Sequence, residues 1–323
     1  MLPFAMIADY HLARAIWLVS MQVVLFIIVL LSLRVTDYRP KSWVLGLLLI
    51  FTIFGYPAVR ALLSGSLVII AALWIVLAFM AMRSGRLEVA GLLFALATVY
   101  PKSMLLLGIL LVVWSWSKRN WSIVFWYAVG ILFLSIVGFF LLQDWPIQYL
   151  RLLWQMRDST NVLTAGKVFT YWMPGPGRQF GWGLSAMVFL ILSLEWWSAR
   201  RKEFRWLFWT GCLTLVLSLW IGFPVDLEDQ VLLILPLILF LSVWEERYGK
   251  QGHWMAIVAP LVLLLGLWFL RIQANSALYP GQAEDSLLFP MPLLLLLGLY
   301  WVRWWAIRPA KTFIEDLRSS HAL

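Results

Sequence analysis

A few charged side chains stand out in a chain that otherwise offers little to react with. "FPVDLEDQVLLILPL" (223–237) sets Asp226, Glu228 and Asp229 together at the mouth of an apolar run. Carboxylates grouped this closely raise one another's pKa, the condition a general base working near neutral pH requires. A solvated or cation-binding loop, or one that only marks topology, uses the same residues. "LATVYPKSMLLLG" (96–108) puts Lys102 beside Pro101 in the middle of another apolar run, and "GYPAVRALLSGSL" (55–67) carries Arg60 with no acidic residue near it in sequence. Two cations without local partners suit an anion; equally, Lys102 can snorkel to the headgroups and Arg60 can touch them. "GKVFTYWMPGPGRQFGWG" (166–183) adds Lys167, Tyr171, Trp172 and Arg178. Cations among aromatic faces suit a sugar ring, and they also suit a membrane interface. The three histidines, His11, His253 and His321, are scattered and the single cysteine, Cys212, lies in an apolar run. This rules out a disulfide framework or thiolate cluster, and no carboxylate pattern demands a metal.

The elements that must position these groups are membrane helices. With 63% apolar residues, 13% charged residues and 22 tryptophans, and a mean hydropathy of +0.87, the composition is that of a multi-spanning membrane protein. All 323 residues read as one multi-pass membrane domain with no linker or low-complexity tract. Apolar runs at 13–33, 43–58, 66–82, 87–99, 103–117, 121–142, 182–197, 206–223, 231–244, 254–270 and 287–307 predict an all-α fold of about eleven transmembrane helices. Runs four and five are 13 and 15 residues long. At ~1.5 Å per residue they reach about 20–23 Å into a hydrocarbon core ~30 Å thick, so they are either a short hairpin turning at Pro101 and Lys102 or one kinked crossing.

Basic residues choose between these readings. With the N-terminus outside and a hairpin at Lys102, the inner segments hold Arg34, Arg39, Lys41, Arg83, Arg86, Lys118, Arg119, Arg200, Arg201, Lys202, Arg205, Arg247, Lys250, Arg303, Arg308, Lys311 and Arg318, most of the 25 basic residues. A single kinked crossing inverts everything after it and breaks the positive-inside rule. The expected topology therefore has the N-terminus outside, a short cytoplasmic tail at 308–323 and the excess of positive charge inside. The net charge of +9 is then a topology signal and gives no support to nucleic-acid binding. Lys102 sits at the floor of an outward recess, where a charge costs roughly 2.5–3.5 kcal/mol unless it meets water or an anion. The longest outer segment is 143–181. Asp144 at an N-cap position and Pro146 in the first turn predict a helix lying in the interface, and Pro174, Gly175, Pro176 and Gly177 then prevent regular structure.

The stretch "GSLVIIAALWIVLAFMAMRSGRLEVAGLLFALATVYPKSMLLLGILLVVW" (65–114) resembles the central signature of glycosyltransferase family 87, the polyprenol-linked sugar transferases of the GT-C superfamily. Tyr56, Pro57, Gly65, Arg83, Arg86, Ala90, Gly91 and Lys102 fit that pattern in order. "EDQVLLILP" (228–236) resembles the family's late motif and "LARAIWLVSMQVVLF" (12–26) its second helix. Gly65-Ser66 replaces the family's Gly-Gln. The family's first helix and most of the first outer loop, which carries the aspartate considered the catalytic base, have no counterpart; Asp9 and His11 lie where that loop would end, and neither matches the aspartate. The resemblance implies inverting transfer of a sugar, such as a mannose-like hexose, from a polyprenyl-phosphate carrier to a hydroxyl of a glycan or glycolipid, at the outer face of a bacterial cytoplasmic membrane. It implies Lys102 and Arg60 on the departing phosphate and Asp229, with Asp226 or Glu228, as base; a divalent cation enters only by analogy. A polytopic transporter or lipid flippase, or a non-catalytic paralogue, are the alternatives.

Overall fold

The computed structural model describes residues 10–148, 151, 163–277 and 279–308, and is helical throughout with no strand among the described residues. In chain order the helices are α1 (Tyr10–Thr36), α2 (Ser42–Phe54), α3 (Tyr56–Ser64), α4 (Val68–Arg83), α5 (Leu87–Ala97), α6 (Pro101–Lys118), α7 (Ser122–Leu141), α8 (Ala165–Trp172), α9 (Gly177–Ala199), α10 (Phe204–Ser218), α11 (Ile234–Tyr248), α12 (His253–Asn275), α13 (Pro280–Asp285) and α14 (Pro290–Ala306). A 3-10 turn, Leu227–Leu233, leads into α11. Every apolar run read from the sequence is largely helical. Six spans are long and apolar enough to cross a membrane, and α2 with α3, bent by 44° at Gly55, make a seventh if counted together. The expected count of eleven includes four shorter apolar helices, 68–83, 87–97, 104–118 and 204–218.

Local chemistry explains the breaks. Gly55 donates its N–H to the Phe51 carbonyl at 2.7 Å, and a Cβ there would collide with that same oxygen, so the chain bends between α2 and α3. Gly65 closes α3 in the left-handed conformation, φ +70°, that an L-residue adopts at a cost. The stretch containing Pro101 forms two helices separated by a break at 98–100. Proline is the first residue of α6, where its missing N–H has no intrahelical partner to lose. The outer segment departs from expectation. The helix expected after Asp144 starts with Trp145–Gln148 helical, but 149–150 and 152–162 lie outside the described residues. Beyond them, Thr164 caps α8 by accepting the Lys167 N–H at 3.1 Å, and residues 173–176 form the non-helical turn expected of Pro174, Gly175 and Pro176, while Gly177 already starts α9. Gly177 touches the Phe169 carbonyl and Gly181 touches Gly166, so glycines let α8 lie directly on α9.

The core is centred on α11 and its 3-10 entry, 89% buried over the apolar window, packed among α1, α10, α12 and α14. Trp209 of α10 is fully buried and its indole N–H donates to the Leu299 carbonyl at 3.1 Å. The opposite pattern marks α7, where Phe125, Leu132, Phe133 and Phe140 are exposed, the last at 83%. An apolar face this large suits lipid. Polar contacts sort the helix ends into two sets. At one end Arg83 pairs with Asp37, Tyr38 and His253 meet Glu245, and Arg303 is 2.7 Å from Glu195. At the other end lie Tyr56, Arg60, Ser64, Tyr100, Lys167, Glu228, Asp229 and Glu284. Of the basic residues assigned to the inside, Arg83 and Arg303 belong to the first set.

Small residues join α5 to α7: Gly91 abuts Ile123 and Tyr127, and Gly130 abuts Ala95. Gly91→Leu is expected to lower stability by about 1–3 kcal/mol, read as an earlier thermal transition in detergent, because a side chain there must drive two packed helices apart. Gly183→Ala on α9, where a Cβ meets nothing within 4 Å, should leave the transition in place.

Candidate functional site

The candidate site is the second of these ends. Its floor is the 3-10 turn, whose start is a capping box: the Asp226 side chain accepts the Asp229 backbone N–H, and Asp229 Oδ2 accepts the Asp226 N–H at 2.9 Å. Asp229 Oδ1 accepts the Tyr100 hydroxyl. Asp229, expected as the base, is thus only 1% exposed, with both oxygens engaged in holding the turn to the α5–α6 connection. Burial, then the neighbouring Asp229 charge, hold the Tyr100 phenol well above its ordinary pKa, so it stays a hydrogen-bond donor. Asp226 is exposed, and Glu228 is half-buried with Oε2 accepting the Ser64 hydroxyl at 2.7 Å and its charge facing Arg60.

Arg60 is not on a loose connection and is not unpaired. The bend at Gly55 turns α3 so that Arg60 Nη1 lies 3.2 Å from the Tyr56 hydroxyl and pairs with Glu284 Oε1. Its acidic partner is 224 residues away in sequence, which is why none was visible there. Glu284 Oε1 also accepts the Tyr56 hydroxyl at 2.5 Å, and its Oε2 lies 3.4 Å from Arg271 Nη1. Packing fixes this arrangement: Trp268 of α12 meets the Tyr56 ring edge-on at 5.5 Å and donates its indole N–H to the Phe54 carbonyl at 2.8 Å.

On α8, Lys167 Nζ is 3.4 Å from Asp285 Oδ2 and 5.6 Å from the Tyr171 ring centre. Partial burial works against its charge, but the Tyr171 and Asp285 interactions outweigh burial and hold its pKa above the usual lysine value. Trp172 donates to Ser286 Oγ at 3.0 Å and its ring lies 5.1 Å from Phe289, which stacks on Trp220. Arg178, in the first turn of α9, is exposed and makes no ion pair or side-chain hydrogen bond among the described residues. The structure therefore brings Arg60, Lys167, Tyr171, Trp172 and the acidic cluster toward one end, with contacts that do not include Arg178 among the described residues. Lys102 is the second residue of α6; its side chain lies outside the described residues.

The acidic groups fit a metal poorly. Asp229 and Glu284 spend their oxygens on N–H and O–H donors, and no three His, Cys, Asp or Glu residues form a metal-holding group among the described residues. Beside the cluster, between α6 and α7, runs a groove of about 450 Å³ lined by Thr98, Pro101, Met104, Leu105, Gly108 and Tyr127, among others. Its lining is almost wholly apolar and its upper end reaches the residues flanking Tyr100.

The family model of glycosyltransferase family 87 matches residues 1–224. The chain belongs to that family. No curated protein and no solved structure in the comparison matches it. As a family 87 chain it is a multi-pass membrane glycosyltransferase, and its matched part contains Arg60, Tyr100, Lys102 and Lys167, while Asp226, Glu228, Asp229, Arg271, Glu284 and Asp285 lie beyond the match. Reading the family 87 sequence alone missed Arg271, Glu284 and Asp285. The acid pair in "GQAEDSL" (281–287), in the connection after the helix that carries Arg271 in its last turns, was the available signal.

Proposed function

We propose that the chain moves a hexose, mannose-like in kind, from a polyprenyl-phosphate carrier to a hydroxyl of a glycan or glycolipid, with inversion, at the outer face of a bacterial cytoplasmic membrane during assembly of the cell envelope. The observation that carries this reading is the groove: an almost wholly apolar lining that reaches Pro101 at the start of α6, next to the Tyr100 that bonds Asp229, suits a donor with a hydrocarbon tail and a charged head. In this reading the tail lies along Met104, Leu105, Gly108 and Ile109, and the phosphate reaches Lys102.

The acceptor oxygen attacks the anomeric carbon from the face opposite the phosphate. The bond from that carbon to the phosphate oxygen breaks, and the electron pair leaves with the phosphate. Lys102 and Arg60 stabilise the charge growing there, where fixed cations lower the barrier. The acceptor proton passes to a carboxylate of the 226–229 cluster. In this reading Glu228 takes it, supported by its partial burial opposite Arg60, with Asp226 beside it, whereas Asp229 holds the turn. Tyr171 and Trp172 offer ring faces to the sugar.

The experiment supplies purified chain in nanodiscs with labelled polyprenyl-phosphate hexose or, in parallel, labelled nucleotide sugar, plus a glycolipid acceptor. Label should pass to the acceptor from the lipid donor alone. Transfer from the nucleotide sugar alone, or from neither, overturns the reading. Gly108→Trp, which fills the groove where Gly108 meets the Tyr127 hydroxyl, should raise the KM for the lipid donor about tenfold with little change in kcat, the signature of lost uniform binding.

A further inference from the structure

Three cations from three separate helices meet two consecutive carboxylates. Arg60 of α3 and Arg271 of α12 converge on Glu284, and Lys167 of α8 reaches Asp285. Among the described residues one nitrogen of each guanidinium is engaged: Arg60 Nη1 serves Tyr56 and Glu284, and Arg271 Nη1 serves Glu284 and, at 2.5 Å, Asn275 Oδ1. Among the described residues, Nε and Nη2 of both arginines have no hydrogen-bond partner, and the Arg60 side chain remains 41% exposed. The cations are placed by packing that does not involve the acids. Trp268 ties α12 to Phe54 and Tyr56, and glycine contacts seat α8 on α9. Three fixed cations without an anion between them repel one another. Glu284 and Asp285, at the end of the six-residue α13, relieve this, while Glu228 faces Arg60 from the 3-10 turn and stays bonded to Ser64. A carboxylate spread across two guanidinium groups uses the donors that a phosphate would use.

We propose that Arg60, Arg271 and Lys167 form one binding site for the phosphate of a polyprenyl-phosphate lipid, and that Glu284 and Asp285 occupy it as an internal anion until that phosphate displaces them. The proposal rests on the lipid-donor reading above and adds Arg271 and the acid pair to it. The sugar-bearing donor is a phosphodiester with one charge. The phosphate released carries about −1.5 to −2 at neutral pH, so a site whose resident anions step aside holds the leaving group better than the donor.

The test measures binding to the full chain in nanodiscs, with no sugar present, using a long-chain polyprenyl phosphate, the matching polyprenol, phosphatidylglycerol and inorganic phosphate. E284Q/D285N should bind polyprenyl phosphate about tenfold more tightly, and R271Q and K167Q each about tenfold more weakly, the scale of one charged hydrogen bond gained or lost. Polyprenol affinity should be the same in all. Tighter binding in the double variant cannot arise from misfolding. Weaker or unchanged binding in E284Q/D285N overturns the proposal. So does an equal response to phosphatidylglycerol, which would assign the cations to ordinary headgroups, or to inorganic phosphate, which would assign them to the free anion. A chain that binds with the expected pattern yet transfers no sugar keeps this inference and removes the transferase reading; one that transfers sugar with binding unchanged in every variant removes this inference alone.

Discussion

Replacing Lys102 by alanine should lower sugar transfer by about 10²- to 10³-fold at saturating donor, the loss seen when one group that stabilises developing negative charge is removed from a catalytic site. Membrane insertion should be unchanged. The argument starts from placement. Lys102 follows Pro101 in the first turn of α6, beside the residues that line the upper end of the groove and two residues from Tyr100. The N-terminal end of α6 also presents backbone N–H groups and a positive dipole, which favour an anion at the same place. A lysine with only a headgroup contact would give up nothing in kcat on truncation. The split decides the role: a fall in kcat places Lys102 on the departing phosphate, whereas a rise in KM alone leaves it as a docking charge.

The second large effect separates two neighbours. Glu228→Gln should reduce transfer by about 10²- to 10⁴-fold, the range for loss of a general base, while the thermal transition holds, because a glutamine oxygen still accepts the Ser64 hydroxyl. Asp229→Ala should act on the fold. It removes the acceptor of the Tyr100 hydroxyl and of the Asp226 N–H in a buried setting, a loss of about 1–3 kcal/mol, read as an earlier thermal transition. If Asp229→Ala abolished transfer with its transition unmoved while Glu228→Gln remained active, the two assignments would be exchanged.

Apolar runs made the helices legible because a membrane helix announces itself by composition, and Pro101 marked a real break. The lengths were less legible. Whether a helix of 11 or 16 residues crosses depends on neighbours and local bilayer thickness, as for α5 and α4. Pro174, Gly175 and Pro176 do interrupt regular structure, whereas the short helix carrying Lys167, Tyr171 and Trp172 before them is signalled in sequence only by its Thr164 cap. The spacing of Asp226 and Asp229 likewise fits a capping box, yet three clustered carboxylates drew the reading toward catalysis. The pairing of Arg60 with Glu284 could not be read locally at all. It depends on α12 packing against the bent arm of α3, a tertiary fact that no short stretch contains.

The most direct measurement labels lysines with a membrane-impermeant amine reagent, applied to sealed vesicles from the outer or the inner side, and quantifies modification at Lys102 by peptide mass spectrometry. Labelling from the outer side alone, suppressed by polyprenyl phosphate and not by polyprenol, is the expected result. Labelling from the inner side, or outer labelling that polyprenyl phosphate leaves untouched, would contradict it.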